Sequence, residues 1–317
     1  MTVNNLKNNG NIAISVNDVS KHFNGLKALD KVSFSVKKGE IFGILGPDGA
    51  GKTTLMRILA GLMPYAAGSV NVLGYDLKNG SSELCDHIAY MSQRFGLYED
   101  LTVMENILFY ADLYDMAAGP ALDKRIDELL NFCRMTPFKN RKAGKLSGGM
   151  KQKLGLTCAL IHTPELLLLD EPTNGVDPVS RRDFWKILHE MLKTGLTIFV
   201  STTYLDEAER CNRVAFINRG VINTIDTPLN LKNKLSHKMW ELEVSDKFAA
   251  VECLKKNSAV SAALMMGAVV HIFTDFNIDN EKFDRDILND LKKSGIEFGN
   301  YKEVRPSLED VFIEKMG

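Results

Sequence analysis

The chain has 317 residues, of which 45% are hydrophobic and 25% charged, and its formal net charge is −1 at pH 7. This composition is typical of a folded globular protein and excludes a disordered chain, while the length favours one large domain and one smaller domain. Because no dense run of Lys and Arg occurs, the sequence also argues against a nucleic-acid partner.

The five cysteines are scattered, without a pair at metal-ligating spacing, so we expect reduced thiols in a cytosolic protein. Residues 1–10 are polar, which argues against a secretory signal. The longest apolar tract, residues 262–273, is interrupted by Gly267 and His271 and is shorter than the roughly 20 residues of a membrane-spanning helix. We therefore expect a cytoplasmic protein that lies peripherally on the cytoplasmic face of the membrane through a partner.

Two stretches, residues 12–19 and 32–36, alternate apolar and polar side chains and predict an antiparallel edge sheet. Residues 41–45 are continuously apolar, as in a strand covered on both faces, and lead through a Gly-rich turn into a predicted helix. Similar apolar runs recur at 166–169 and 196–201. The sequence therefore predicts an α/β fold with a mostly parallel sheet and crossover helices.

A helical insert is predicted over about residues 95–163, where apolar residues recur at helical spacing and no strand-like run intervenes. After Pro228 the pattern restarts in the order β-α-β-α-β, with a further optional strand at 259–265. This order predicts a small α+β, ferredoxin-like domain with a terminal helix. We accordingly assign residues 1–230 to the larger domain and 231–317 to an accessory domain.

A glycine-rich segment follows the buried strand at 41–45. Two of its glycines stand five positions apart and are followed by Lys and Thr, a pattern typical of a loop whose backbone N–H groups surround phosphates at the start of a helix. Lys52 would reach the β- and γ-phosphates of a nucleotide, and the Thr53 hydroxyl would bind Mg²⁺. The alternative is a plain Gly-rich turn with a solvated lysine. The candidate ATP-binding residues are Gly46, Pro47, Asp48, Gly49, Ala50, Gly51, Lys52, Thr53 and Thr54.

Two carboxylates, Asp170 and Glu171, end the apolar run at 166–169, where a buried strand reaches the carboxyl edge of the sheet. Asp170 is expected beside Mg²⁺, and Glu171 is a candidate general base that polarises the attacking water. Acidic residues also end strands for structural reasons alone. The presence of the phosphate loop in the same chain favours the catalytic interpretation.

Ser147, Gly148 and Gly149 open a predicted helix that runs to Leu160. A hydroxyl, close backbone approach and unpaired N–H groups at a helix start make a second candidate anion site. A simple helix cap explains the same residues equally well, so the local pattern leaves both interpretations open.

The segments at 46–53, 146–150 and 170–171 occur in the order of the Walker A, signature and Walker B motifs, and residues 12–228 resemble the ATP-binding cassette family. The resemblance implies a P-loop NTPase fold with a mixed sheet core, ATP and Mg²⁺ as cofactors, and two cassettes that pair head to tail. It also implies that four residues act in trans, on the ATP that the partner cassette binds. These residues are Ser147, Gly148, Gly149 and Asp177.

The resemblance implies roles for single residues as well. Phe23 would stack on adenine, although it could instead belong to the edge-sheet core. Gln93 would sense the γ-phosphate and bind Mg²⁺ together with Thr53 and Asp170, and its alternative is a surface polar residue. Asp177 could equally cap the helix that follows it.

Two positions depart from the family pattern. Asp48 stands where the family usually has Asn, and its charge is expected to weaken phosphate affinity unless it caps the loop backbone. Thr203 occupies the position of the family's switch histidine, and a hydroxyl supplies neither the reach nor the charge of imidazole. The implied catalytic set is Glu171, Gln93 and Thr203, with weak hydrolysis at this chain's own loop.

Residues 306–312 resemble the ending of cassette subunits from ABC-2 exporters of drugs or lipids. A transmembrane permease subunit is therefore the implied partner, and we expect it to dock on the aromatic residues Phe95, Tyr98, Phe109 and Tyr110, which could instead fill the core of the helical insert. Thr203 favours a heterodimer with a different cassette, with a homodimer as the alternative. The competing functions are a regulatory cassette with little hydrolysis of its own and a soluble cassette ATPase without a transport role.

Overall fold

The computed structural model describes residues 11–79, 82–94, 96–234 and 237–316. The chain divides into two compact units, Met1–Pro228 and Leu229–Gly317. The strands of the described residues are β1 (Ile12–Phe23), β2 (Leu26–Lys37), β3 (Ile41–Leu45), β4 (Ala67–Val72), β5 (Tyr75–Asp76), β6 (Ile88–Met91), β7 (Leu166–Asp170), β8 (Thr197–Thr202), β9 (Arg213–Asn218), β10 (Val221–Asp226), β11 (Lys238–Val244), β12 (Val260–Met266), β13 (Val269–Thr274) and β14 (Phe298–Val304).

The α-helices of the described residues are α1 (Lys52–Leu59), α2 (Val103–Leu113), α3 (Pro120–Phe132), α4 (Gly148–Ala159), α5 (Pro178–Leu192), α6 (Leu205–Ala208), α7 (Pro228–Asn233), α8 (Lys247–Leu254), α9 (Asn280–Lys282), α10 (Asn289–Lys293) and α11 (Leu308–Met316). A π-helical stretch, Phe283–Leu288, joins α9 to α10. Short 3₁₀ helices occur at Leu77–Asn79, Glu83–Asp86, Thr136–Phe138 and Ala143–Lys145.

The first unit contains an antiparallel sheet of order β2-β1-β4-β5. Strands β1 and β2 are joined by Asn24 and Gly25, whose φ angles are 45° and 84°. Two central residues with positive φ make the tight turn that suits the twist of a hairpin, and Asn-Gly is the favoured pair for it. This turn extends both strands beyond the predicted stretches at 12–19 and 32–36.

A six-stranded sheet of order β10-β9-β3-β8-β7-β6 forms the centre of the first unit. The pairs from β9 to β6 are parallel, and β9 with β10 is antiparallel, which confirms the predicted mixed sheet. Strands β3, β7 and β8 are buried along their whole length, because helices and the antiparallel sheet cover both faces. The loops that follow β3, β8, β7 and β6 therefore lie side by side at one edge.

The two sheets of the first unit are joined by a stack of three aromatic rings. The ring centroids of Phe34, Phe42 and Phe199 lie 5.6–5.7 Å apart, and the interplanar angles are 23° or less. Such pairs contribute about 0.5–1.5 kcal/mol each beyond the area that they bury. The stack fixes β2 of the antiparallel sheet against β3 and β8, which carry two loops of the site.

The predicted helical insert corresponds to α2, α3, α4 and two 3₁₀ turns. Helix α2 begins at a capping box, in which the Thr102 hydroxyl accepts from the Glu105 N–H and the Glu105 carboxylate accepts from the Thr102 N–H. The buried Asn106 side chain bonds the carbonyls of Tyr98 and Thr102. Helix α3 begins at Pro120, a favoured first helical residue.

The second unit is an antiparallel sheet of order β12-β13-β11-β14. Its elements follow the order β-α-β-β-α-β, which is that of a ferredoxin-like fold, and the optional strand at 259–265 is β12. The rings of Trp240, Phe283 and Tyr301 pack together in its core. The final helix, α11, is tied to β13 by a 3.0 Å contact between Asp310 Oδ1 and His271 Nδ1.

Candidate functional site

The glycine-rich loop lies between β3 and α1, at the carboxyl edge of the six-stranded sheet. Gly51, the residue before α1, has a φ of 106°, and a Cβ there would lie 2.5 Å from the carbonyl oxygen of Ala28. Only glycine is compatible with that conformation and with so close a backbone contact. The loop therefore holds the first residues of α1 with their unpaired N–H groups at the edge of the sheet, an arrangement suited to anions.

Lys52 is the first residue of α1, and its side chain is 4% exposed. Its ammonium group donates to the carbonyl oxygens of Gly46 and Pro47, at 2.9 and 3.0 Å. It also lies 3.1 Å from Oε1 of Glu171. The loop thus curls around its own lysine, and the positive charge is fixed by partners on two sides.

Glu171 follows β7, and its side chain is 10% exposed. Its Oε2 accepts hydrogen bonds from Gln93 Nε2 at 3.2 Å and Asn174 Nδ2 at 3.3 Å. Its φ of 48° is uncommon for a residue other than glycine, and such strain persists where the surroundings hold it. The three sequence-predicted residues Lys52, Gln93 and Glu171 are therefore brought together.

Asp170 is buried at the end of β7 between two hydroxyl donors. Ser201 Oγ donates to Oδ1 at 2.6 Å, and the Tyr90 hydroxyl donates to Oδ2 at 3.4 Å. Burial and then the charge of Asp170 raise the pKa of Tyr90, so this hydroxyl keeps its proton. Ser201 Oγ also accepts from the Glu171 N–H at 3.0 Å, so one serine contacts both acidic residues.

A cavity of about 590 Å³ adjoins these groups. Predicted residues at its wall are Asp48, Gly49, Gly51, Lys52, Thr53, Thr54, Gln93 and Glu171. The wall also contains Asn174, and it contains Leu26, Lys27, Ala28 and Arg219, which the sequence did not single out. A second cavity, of about 520 Å³, lies at the opposite ends of β7 and β8 and is lined by none of the predicted site residues.

Phe23 is not part of the cavity wall. It is 42% exposed at the end of β1, and its cross-strand partner Leu26 lines the cavity instead. The hairpin turn thus presents an aliphatic side chain to the cavity, with the phenyl ring beside it. Gly46, Pro47 and Ala50 lie in the loop but outside the wall, and Asp170 lies behind Glu171.

The two departures from the family pattern differ in their surroundings. The Asp48 side chain is 93% exposed, with Oδ1 4.0 Å from Lys52 Nζ, so its charge is largely screened by water. Thr203 is half-buried after β8 and does not line the cavity. The residues on either side of it, Thr202 and Tyr204, are joined by a hydrogen bond, in which the Tyr204 N–H donates to Thr202 Oγ1 at 3.0 Å.

The residues predicted to act in trans lie away from the cavity wall. Ser147 caps α4 by accepting from the Met150 N–H at 3.4 Å, and Gly148 is exposed. A Cβ on Gly149 would lie 2.5 Å from the Cβ of Ser180, so glycine is required for α4 to pack against α5. These residues therefore also have structural roles.

Asp177 caps α5, with Oδ1 accepting from the N–H groups of Val179 and Ser180 at 3.0 and 2.9 Å. Hydrogen bonds from Ser180 and Val179 hold the pKa of Asp177 below its ordinary value. The cap that the sequence allowed is thus present, on a surface that remains open to a partner.

Comparison with known proteins identifies relatives over most of the chain. A family model described as "ABC transporter" matches residues 29–174. The probable multidrug ABC transporter ATP-binding protein YbhF of Escherichia coli K12 is 41% identical over 96% of this chain, which spans 52% of YbhF. The chain thus covers about half the length of this relative.

Two other relatives match along nearly their whole length. The bacitracin transport ATP-binding protein BcrA of Bacillus licheniformis is 31% identical, covering 96% of this chain and 97% of BcrA. The daunorubicin/doxorubicin resistance ATP-binding protein DrrA of Streptomyces peucetius is 30% identical, covering 96% and 92%.

Solved structures match about two thirds of the chain. The dimeric post-hydrolysis state of the ATP-binding cassette MJ0796 with ADP and Pi has a TM-score of 0.62 and 25% identity, covering 68% of this chain and 98% of that one. A nucleotide-free cassette from an ABC transporter has a TM-score of 0.65 and 26% identity, covering 71% and 95%.

Proposed function

The chain belongs to the ABC transporter family of ATP-binding proteins, and we propose that it binds MgATP beside Lys52 and couples hydrolysis to export by a separate membrane subunit. The observation that carries this proposal is the convergence of Lys52, Gln93 and Asn174 on the carboxylate of Glu171. Loops from three places in the chain meet at one acidic side chain. A terminal phosphate bound there would have a cation and a candidate base within reach.

Lys52 is the proposed ligand of the β- and γ-phosphates. Its ammonium group is already oriented by two loop carbonyls, and a fixed cation at a helix start attracts phosphate strongly. Glu171 is the proposed general base, and Gln93 and Asn174 hold the carboxylate that would accept the proton of the attacking water. Leu26 supplies apolar surface at the mouth of the cavity for the base of the nucleotide.

The residues proposed for Mg²⁺ are Thr53, Gln93 and Asp170. All three offer hard oxygen donors, as Mg²⁺ requires, and the Asp170 carboxylate is fixed in place by Ser201 and Tyr90. This donor set fits the ion, which when bound neutralises charge on the phosphates. Because Asp170 lies behind the cavity wall, we propose that it acts through water.

Thr203, in place of a histidine, is the observation that favours a second candidate function, a regulatory cassette with little hydrolysis of its own. We favour transport with unequal sites, in which Ser147, Gly148, Gly149 and Asp177 complete the site of a different cassette. The exposed positions of Ser147, Gly148 and Asp177, outside this chain's own cavity, support that assignment, and the buried Gly149 follows directly in the same helix. A homodimer is the alternative that the Thr203→His variant described below would distinguish.

A membrane subunit is proposed to dock beside Gln93 and the start of α2. Tyr98 is 47% exposed, and its ring meets the edge of Phe109 at 4.5 Å, while the Tyr110 hydroxyl donates to the Gly96 carbonyl. Phe95, which was predicted to share this surface, lies outside the described residues. An aromatic surface adjoining a phosphate-sensing residue would pass nucleotide binding on to a partner.

Over the described residues, no helix combines the length and apolar character needed to cross a bilayer. From the likeness to ABC transporter ATP-binding proteins, we propose that a separate subunit forms the membrane path and that this chain lies on its cytoplasmic face. The names of YbhF, BcrA and DrrA refer to multidrug transport, bacitracin transport and daunorubicin/doxorubicin resistance. By analogy we propose a drug-like or lipid-like substrate that the membrane subunit selects.

Cross-linking tests the docking proposal. A Cys85→Ser background removes the exposed native thiol, and Tyr98→Cys then places a thiol on the proposed surface, with Glu190→Cys on α5 as the matched control. In membranes that contain the co-expressed permease, we expect adducts from Tyr98→Cys, with a yield that changes on addition of MgATP, and none from the control. Equal adduct formation from both positions, or none from Tyr98→Cys, would contradict the docking site.

A further inference from the structure

A buried carboxylate to which the sequence assigned no role lies within the segment that resembles the family's switch segment, residues 201–208. Glu207, on the short helix α6, is 1% exposed. Its Oε2 accepts from Thr202 Oγ1 at 2.6 Å, and its Oε1 accepts from Thr173 Oγ1. Thr202 ends β8, whereas Thr173 follows Glu171, so one carboxylate joins the loops of two neighbouring strands.

Arg181 supplies the positive charge for this carboxylate. Its Nε lies 3.5 Å from Glu207 Oε1, an ion-pair distance, and its Nη1 lies 3.7 Å from Asp206 Oδ1. The same guanidinium group lies 3.8 Å from the centre of the Tyr204 ring, a cation–π contact. A buried carboxylate requires such compensation, because an unpaired charge in the interior is costly.

Glu207 and Arg181 hold the residues on both sides of Thr203. Thr202 is held by Glu207, and Tyr204 is held by Arg181 through its ring and by Thr202 Oγ1 through its N–H group. A displacement of Arg181 or Glu207 would therefore shift the backbone at Thr203. Since Ser201 in the same segment bonds both Asp170 and the Glu171 N–H, the displacement would also reach the two acidic residues.

On its other side the cluster is attached to the loop that ends at Asp177. The Arg181 N–H donates to the Asp177 carbonyl at 2.9 Å in the first turn of α5. The Val176 N–H donates to the Thr173 carbonyl at 3.1 Å. Both groups that contact Glu207 Oε1 are thus fixed to the same loop and would move with it.

We infer that Glu207 is a positioning residue that couples the loop at residues 174–177 to the switch segment around Thr203. The inference deepens the proposed function and rests on it, because the loop is the part that would meet a second cassette. Contact between cassettes would then be transmitted through Arg181 and Thr173 to Glu207, and from there to Thr202, Ser201 and the Asp170–Glu171 pair. The cluster gives the switch segment a connection that does not require an imidazole at position 203.

Hydrogen exchange tests this coupling without depending on turnover. Asp177→Ala removes the cap of α5 and loosens the loop, and the readout is exchange of the backbone amides over residues 202–208. In the otherwise native chain we expect this substitution to accelerate their exchange at least about tenfold. In a Glu207→Gln background, which keeps the shape but removes the charge that holds Arg181, the same substitution should add no more than about twofold.

A second background protects the test if Glu207→Gln destabilises the fold. Thr202→Val removes the hydroxyl that joins Glu207 to β8 and accepts from the Tyr204 N–H, and it should uncouple the two segments likewise, whereas Thr202→Ser should restore coupling. Glu190→Gln, at an exposed site on α5, is the control and should leave the coupling intact. Equal acceleration by Asp177→Ala in the native, Glu207→Gln and Thr202→Val backgrounds would overturn the inference.

The same variants separate this inference from the proposed function. If the native chain binds MgATP and hydrolyses it with a partner, Glu207→Gln should lower kcat at least about tenfold while changing the Kd for MgATP less than about threefold. An unchanged kcat would overturn the role of Glu207 alone. A native chain that fails to bind MgATP would overturn the proposed function, and the exchange experiment would still report on the coupling.

Discussion

The ammonium group of Lys52 lies 3.1 Å from a carboxylate oxygen of Glu171, and each side chain is at most 10% exposed. The two residues belong to separate motifs, one after β3 and one after β7, and each compensates the other's charge where little water can do so. A phosphate group that binds Lys52 must therefore arrive beside Glu171. This proximity links binding of the phosphate to the residue proposed to activate water.

Glu171→Gln should nearly abolish turnover while preserving binding. The amide keeps the size and the hydrogen-bonding oxygen but cannot accept a proton, and loss of a general base typically lowers the rate about 10²- to 10⁴-fold. Removing a negative charge beside the phosphates should leave the affinity for MgATP equal or higher. Phosphate release and calorimetry measure the two effects, with Glu165→Gln at the other end of β7 as the control. Turnover above a third of native would contradict the role of Glu171.

Ser201→Ala should raise the Mg²⁺ concentration needed for half-maximal nucleotide binding or turnover. The substitution removes the 2.6 Å hydrogen bond to Asp170 and one acceptor for the Glu171 N–H. A hydrogen bond to a charged group contributes about 1.5–3 kcal/mol, so we expect a shift of about ten- to a hundredfold. Ser201→Thr keeps the hydroxyl and should retain most of the native Mg²⁺ dependence. Identical Mg²⁺ dependence in the Ala variant would show that this hydroxyl does not position Asp170.

Thr203→His should increase ATP hydrolysis by the isolated chain. A donor to the transition state is worth about 3 kcal/mol, or roughly a hundredfold in rate, and a histidine would add one that threonine lacks. Thr203→Ala should behave like the native chain, and Glu171→Gln provides the inactive reference. If the native chain alone already turns over several ATP per second and Glu171→Gln abolishes this, obligate pairing with a different cassette is wrong.

Protonation of His162 should lower the free energy of unfolding as the pH drops below about 6.5. Its ring stacks on Tyr114 at 3.7 Å, and Nε2 donates to the Ile88 carbonyl. Burial lowers the pKa of His162 below 6.5, so the unfolded chain binds the proton more readily, and stability present above that pH is lost as the pH falls. Chemical denaturation of native, His162→Phe and His22→Gln proteins from pH 7.5 to 5 measures this. We expect a flatter profile for His162→Phe alone, and three parallel profiles would contradict the assignment.

The central strands and the phosphate loop could be predicted from the sequence because their signals are local. Residues 41–45 read as a buried strand and form β3, and the glycines before Lys52 precede α1 as expected. The optional strand at 259–265 is present as β12. The lengths of β1 and β2 were underestimated, because the turn at Asn24 and Gly25 determines them only once both strands pair.

The missed residues of the site act through contacts between distant parts of the chain. The sequence assigned no role to Ser201, Tyr90 or Glu207, and their importance follows from β6, β7 and β8 being neighbours. Leu26 and Arg219 reach the cavity because separate turns converge on the phosphate loop, with the Gly220 N–H bonding the Ala50 carbonyl at 3.0 Å. A single sequence does not show which distant segments contact each other. The order of the parallel strands in the structure does.

Titration of the native chain and of Lys52→Ala with MgATP by calorimetry tests the central claim most directly. We predict one binding event per native chain and at least about a hundredfold weaker binding in Lys52→Ala, because the ammonium group would make charge-assisted bonds to two phosphates. Lys186→Ala, at an exposed position on α5, should bind like the native chain, and circular dichroism should show the same fold for all three. Equal affinity of Lys52→Ala and the native chain would contradict MgATP binding at this loop.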